Sequence, residues 1–89
     1  MNLSREQNEL LRHAVLEVLA VRHPSAITTA AVRRRISIEL DFEAALEDVE
    51  AALEFLRGIK LVGMEQDDLG STKYWAATSE GVLKYERGD

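Results

Sequence analysis

The chain has 89 residues, of which 46% are hydrophobic and 30% charged, and a formal net charge of −5; these values predict a single globular domain over residues 1–89. It contains no cysteine, which excludes disulfides, thiolate zinc sites and a cysteine nucleophile. No stretch approaches the roughly 20 apolar residues of a membrane helix, and the N-terminus does not resemble a signal peptide, so we expect a cytoplasmic protein that does not contact membranes.

The first predicted helix covers about residues 4–22. Ser4 is a candidate N-cap, and Gln7, three residues further on, completes a capping box. Apolar residues recur at spacings of three and four, which is the pattern of one buried helix face. They are Leu10, Leu11, Ala14, Val15, Val18 and Leu19. We expect the helix to end at His23, because a residue that precedes proline is pushed out of the α region.

Two further helices are predicted, joined by a very short connection. The second covers about residues 28–38, with Thr28 as its cap. The third covers about residues 41–57, with Asp41 as its N-cap and Gly58 as the left-handed residue that ends it. The third segment has the strongest periodicity in the chain, with spacings of four, three, four and three. Its predicted core residues are Phe42, Leu46, Val49, Leu53 and Leu56.

A β-hairpin and a short helix complete the predicted elements. Residues 59–66 and 72–77 are rich in strand-forming residues and flank a polar turn that contains glycine. Neighbours on a strand point to opposite faces, so we expect Trp75 to pack on the core and Tyr74 to be exposed. Thr78 is the candidate cap of the last helix.

This order of elements resembles the winged-helix superfamily of bacterial regulator-like domains, over nearly the whole chain. The matching segments are Ile27-Thr28, which opens the second helix, Ile59-Lys60-Leu61-Val62, and Trp75-Ala76-Ala77-Thr78-Ser79-Glu80-Gly81, an aromatic strand followed by a Thr-x-x-Gly helix start. The resemblance implies an α+β winged helix: a three-helix bundle with a helix-turn-helix, a C-terminal β-hairpin wing and a short last helix. It places the third helix in the recognition position, which enters the major groove in DNA-binding members, and residues 67–71 at the wing tip.

The charge distribution departs from that of a DNA-binding member. Residues 1–35 hold six basic and three acidic residues, whereas residues 36–68 hold two basic and ten acidic residues. On a helical wheel, four glutamates of the third segment fall within about 60° of one another. They are Glu43, Glu47, Glu50 and Glu54. No lysine or arginine precedes Arg57 in this segment, although DNA binding normally depends on basic side chains against phosphates.

Other acidic residues follow the same trend. We expect Asp48 on the exposed surface of the third helix, and Asp67 and Asp68 at the wing tip, where only Lys73 offsets them nearby. An acidic helix face also has a simpler interpretation, as a solvated surface that keeps a small protein soluble. Either interpretation argues against ordinary base recognition by the third helix.

Two functions from different classes stay open. The first is a protein-interaction or self-association module, whose acidic helix docks a protein partner or a second copy. Its predicted site residues are Glu43, Glu47, Glu50, Glu54, Ala51 and Phe55. The second is a DNA-binding transcriptional regulator that uses a basic surface from the N-terminal half. Its predicted site residues are Arg33, Arg34, Arg35 and Lys73. Charge placement favours the first function, which is the prediction from the sequence, and fold-level analogy favours the second, which is the alternative.

The arginine triplet also has a simpler structural interpretation. Three consecutive helical residues point in three directions, and they would pair with glutamates of the third helix. A simpler structural interpretation also exists for Phe55, in which its side chain packs under the wing or the first helix.

No motif for catalysis or metal binding is present. The sequence has no Gly-rich phosphate loop, no His-Glu-x-x-His and no nucleophile flanked by a base. The two histidines, His13 and His23, do not share a helix face. We therefore predict no enzymatic activity, no cofactor, no metal and no small-molecule substrate.

Overall fold

A computed structural model describes residues 3–88. Its elements, in chain order, are α1 Arg5–Arg22, β1 Ile27–Thr28, α2 Thr29–Ile36, α3 Leu46–Gly58, β2 Val62–Gln66, β3 Lys73–Ala77 and α4 Ser79–Arg87. The three strands form one antiparallel sheet in the order β1-β3-β2. The predicted α+β layout of helices, hairpin and last helix is therefore confirmed. No helix in residues 3–88 has both the length and the apolar character needed to cross a bilayer.

The predicted caps of three helices form as expected. At the start of α1, Ser4 Oγ accepts a hydrogen bond from the Gln7 N–H, and Gln7 Oε1 accepts one from the Ser4 N–H, so the capping box is complete. Thr28 Oγ1 caps α2 and Thr78 Oγ1 caps α4 in the same manner. Each bond satisfies a backbone donor that a helix start otherwise leaves without a partner.

The core forms where α1 packs against α2, α3 and the sheet. Leu11, Val15 and Leu19 of α1 are fully buried, as their spacing predicts, whereas Leu10 is exposed. Trp75 of the central strand is also fully buried, and its Nε1 donates a hydrogen bond to Thr29 Oγ1 at 2.8 Å. Tyr74 points away from the core, so the predicted division between the two aromatic residues is confirmed.

The prediction that the third helix begins at Asp41 is wrong. Nine residues, 37–45, form a loop between α2 and α3 in place of the very short connection that we expected. Arg33 Nε donates a hydrogen bond to the Ala44 carbonyl at 3.0 Å, and Ala44 is itself buried, so α2 holds this loop outside the helix. Asp48 Oδ2 then caps α3 by accepting a hydrogen bond from the Ala45 N–H at 2.9 Å.

The later helix start changes the positions of several residues. Phe42 lies in the loop and is half-buried, and Leu46 is 46% exposed, so neither belongs to the core as predicted. Asp48 is buried, because its carboxylate turns back to the first turn of α3, and the prediction of an exposed position is wrong. Val49 and Leu53 are fully buried, as expected.

The end of α3 also differs from its prediction. Gly58 is the last residue of the helix, and the left-handed residue is Lys60, with φ 69°. The Lys60 carbonyl accepts a hydrogen bond from Thr78 Oγ1 at 2.8 Å, and the Leu61 carbonyl accepts one from the Thr78 N–H at 3.0 Å. The start of α4 is thereby fixed to the chain segment that leads into β2.

Candidate nucleic-acid interface and the acidic face of α3

The arginine triplet divides between two sides of α2. Arg33 and Arg34 line an open groove of about 750 Å³ between α2 and the 37–45 loop, which we call the α2 groove. Arg35 lines a different hollow, together with Glu17 of α1 and Glu39. Helical spacing places neighbouring side chains about 100° apart, yet Arg33 and Arg34 both border the α2 groove, together with Ala30 and Ser37.

The arginines of α2 do not pair with the glutamates of α3. Within residues 3–88, the ion pairs join Arg57 to Glu54 and Lys73 to Glu50. Arg33 uses its Nε on the Ala44 carbonyl, and Arg34 remains exposed at the rim of the α2 groove. The simpler interpretation of the triplet, as partners for the third helix, is therefore wrong.

The exposed face of α3 carries fewer unbalanced carboxylates than the sequence suggests. Glu43 lies outside the helix, in the loop, and lines the α2 groove. Glu50 Oε2 lies 2.6 Å from Lys73 Nζ of the wing, and Glu54 Oε1 lies 3.1 Å from Arg57 Nη1. The hydrogen bond from Lys73 to Glu50 and the charge of Glu50 raise the pKa of Lys73 above its usual 10.5.

The exposed face of α3 is bounded by two different elements. Glu47, Ala51 and Glu54 are all exposed along it, and the Glu50–Lys73 pair marks its border with the wing. On the other side lies Phe55, whose ring has the Arg12 guanidinium of α1 at 3.8 Å from its centroid. We call the strip of Glu47, Glu50, Ala51 and Glu54 the acidic face.

The histidines have separate surroundings. His23 Nδ1 lies 2.9 Å from the Ala77 carbonyl, across the end of β3, and His13 lines a groove between α1 and α4. Among residues 3–88, no three His, Asp or Glu side chains converge as a metal site would require.

The α2 groove was not predicted from the sequence, because residues 41–45 were assigned to a helix. Ser37, Leu40, Asp41 and Phe42 join the two arginines as lining residues. One usable signal was present in the sequence: residues 30, 33, 34 and 37 recur at the spacing of a single helix face, and that face is polar or small throughout.

Comparisons with known proteins agree on the fold. No family model and no curated protein matches the chain. Among solved structures, a PadR-like transcription factor from Bacteroides fragilis is 14% identical, with a TM-score of 0.74 over 93% of this chain and 80% of that one. PadR of Bacillus subtilis, in complex with operator DNA, is 13% identical, with a TM-score of 0.72 over 89% of this chain and 47% of that one.

A third similar structure is an apo mutant of ZitR from Lactococcus lactis. It is 18% identical, with a TM-score of 0.69, and the match covers 93% of this chain and 57% of ZitR. The chain thus spans little more than half the length of ZitR. At such identities the likeness concerns the fold, and the chain has the winged-helix fold that its sequence predicts.

Proposed function

We propose that this chain is a non-catalytic winged-helix module of a transcription regulator, and that it binds DNA through Arg33 and Arg34 of α2. In a helix-turn-helix the first helix crosses the DNA backbone and the second enters the major groove. In this chain α2 is the first of those helices. The observation that supports the proposal best is that two exposed arginines of α2 border one groove and lie outside every ion pair that joins residues 3–88.

The main objection to DNA binding is the acidic surface of α3, and ion pairs between its carboxylates and basic side chains weaken that objection. Because Lys73 lies against Glu50 and Arg57 against Glu54, two of the three glutamates on the acidic face are locally balanced. Glu47 remains in the first turn of α3, where the helix dipole favours a negative charge. We therefore assign phosphate contacts to α2, and no base reading to the carboxylates of α3.

The experiment measures anisotropy of a labelled random-sequence duplex, first at low salt and then with added salt. Each phosphate contact contributes about −0.9 to the slope of log affinity against log salt. Arg33→Ala with Arg34→Ala should therefore reduce that slope by about 2. Arg35→Ala is the matched control, because it removes the same charge from the opposite side of α2.

The binding of the variants distinguishes an α2 contact from diffuse attraction. Unchanged binding in Arg35→Ala, with weaker binding in Arg34→Ala, supports the proposal. Equal losses in both variants would mean diffuse attraction without an α2 contact. No binding by the unmodified protein at low salt, where electrostatic attraction is strongest, would reject DNA binding. Because Arg33 also holds the loop through Ala44, its variant needs a thermal melt beside the titration.

A second candidate function is docking of a basic protein partner on the acidic face. The observation in its favour is that the sequence from Leu46 to Leu56 contains no lysine or arginine, while Glu47 and Ala51 are exposed at its centre. The probe is a labelled arginine-rich peptide. Binding that salt weakens, and that Glu47→Lys with Glu50→Lys abolishes, would support this function. Peptide binding that is unaffected by the reversal would reject it.

A further inference from the structure

The wing tip presents a fully solvated leucine in a preformed turn. Leu69 is 98% exposed and is preceded by Asp67 and Asp68. Asp67 Oδ1 accepts a hydrogen bond from the Leu69 N–H at 3.1 Å, and the Asp67 carbonyl accepts one from the Gly70 N–H at 3.3 Å. The turn is thereby ordered before any contact is made, which lowers the entropy cost of binding through it.

A groove at the other end of β2 has complementary properties. It lies between α1, the end of α3 and α4, has a volume of about 200 Å³, and we call it the back groove. Phe55 and Ile59 are 44% and 52% exposed in it, above buried Leu16 and Leu56. A large apolar side chain that stays exposed on a small protein is a candidate contact point when several lie together.

The rim of the back groove is mainly basic. Its charged members are Arg12 and Lys84, which are basic, and Glu9, which is acidic. The Arg12 guanidinium is stacked 3.8 Å from the centroid of the Phe55 ring, which fixes one positive charge beside the apolar floor. A leucine that is preceded by two aspartates therefore matches the back groove in apolar character and in charge.

The wing tip of a given molecule does not reach its own back groove. Leu61 lines the groove, and β2 runs from Val62 to Gln66 away from it. Five strand residues span roughly 17 Å at about 3.3 Å per residue. The two complementary surfaces thus lie at opposite ends of β2, where a second copy can satisfy both.

We propose that the wing tip of one copy inserts Leu69 into the back groove of a second copy, with Asp68 against the Arg12 and Lys84 rim. A contact between two different surfaces does not close on itself unless the rotation forms a ring, so repetition adds further copies head to tail. The contact uses neither the α2 groove nor the acidic face, so it is independent of the proposed function.

The test is analytical ultracentrifugation of the full chain over a wide concentration range. The unmodified protein should show an average mass that rises past the dimer. Leu69→Ser and Phe55→Ser should each weaken association at least ten-fold. An equimolar mixture of the two variants should form a dimer and no larger species. In that mixture the Phe55→Ser protein supplies the intact wing tip, and the Leu69→Ser protein supplies the intact back groove. Ile38→Ser removes another strongly exposed apolar side chain, 86% exposed, at a site outside both surfaces, and should leave association unchanged.

A charge swap gives a second measurement that does not depend on the folding of the Phe55 variant. Asp68→Lys should weaken association, and Asp68→Lys combined with Lys84→Glu should restore it. A protein that stays monomeric at the highest concentration would overturn the proposal. A dimer that is insensitive to Leu69→Ser, or a mixture of variants that stays monomeric, would overturn it as well.

Discussion

Replacing Gly81 with alanine tests the junction between α4 and the segment that leads into β2. A Cβ at this position would lie 2.1 Å from the Leu61 carbonyl oxygen, 3.1 Å from the Leu61 carbonyl carbon and 3.4 Å from Leu16 Cδ1. The obstacle is backbone, which cannot rotate away as a side chain would. The Leu61 carbonyl also accepts the Thr78 N–H, and Thr78 Oγ1 donates to the Lys60 carbonyl, so a shift of α4 would strain or break both bonds.

The expected magnitude follows from these contacts. Overpacking a close-packed site costs about 1–3 kcal/mol, and a clash with backbone belongs at the upper end of that range. Loss of one hydrogen bond adds about 1 kcal/mol to this cost, while the better helix propensity of alanine offsets about 1 kcal/mol of it. We therefore expect Gly81→Ala to lower the free energy of unfolding by about 3 kcal/mol, which in a domain of this size lowers Tm by about 12–24 °C.

The assay is urea and thermal unfolding followed by circular dichroism. Gly58→Ala is the matched control, since Gly58 is also helical and nothing lies within 4 Å of the Cβ that it would gain. The control should be neutral or more stable by up to about 1 kcal/mol. A Gly81→Ala protein that loses less than about 1 kcal/mol, or equal losses in both variants, would show that α4 does not pack closely against Leu61.

Three further predictions concern single residues. Lys60→Gly should raise the urea midpoint and stabilise the fold by about 0.5–1 kcal/mol, because Lys60 has φ 69° and glycine adopts that conformation without a Cβ penalty; a lower midpoint would contradict this. Ser4→Ala should cost about 1 kcal/mol in thermal unfolding, since the first turn of α1 loses its cap; an unchanged Tm would count against the cap. Lys73→Met should destabilise the fold at neutral pH by removing the partner of Glu50. The pKa of Lys73 is raised on folding. The difference in unfolding free energy between the two proteins should therefore be complete below pH 10.5 and vanish as the pH rises through the folded-state pKa of Lys73. A difference that persists at high pH would exclude the ion pair as its cause.

Local patterns determined much of the fold from the sequence. The caps at Ser4, Thr28 and Thr78 each depend on bonds that span three residues, so the residues themselves identify them. The burial of α1 follows from its spacing in the same way. Adjacent Tyr74 and Trp75 had to face opposite sides of a strand, so that one of them would pack on the core.

Contacts between distant residues decided the rest. The two residues of β1 carry no periodicity, and they form a strand because Ile27 and Thr28 pair with β3, nearly fifty residues away. The sequence pattern extended the third helix back to Asp41, but the hydrogen bond from Arg33 to the Ala44 carbonyl holds that segment as a loop. A helical wheel considers one segment alone, so it cannot show a hydrogen bond that another helix makes to that segment.

The features of the candidate site also divide into those set by local sequence and those set by contacts between distant residues. From the sequence we identified an acidic third helix and an arginine triplet, which are properties of composition and spacing. Only the tertiary structure brought Lys73 to Glu50 and opened the α2 groove, which Arg33 and Arg34 border and Arg35 does not. Charge along a chain is a local property, whereas the field at a surface depends on which side chains the fold brings within a few ångströms of one another.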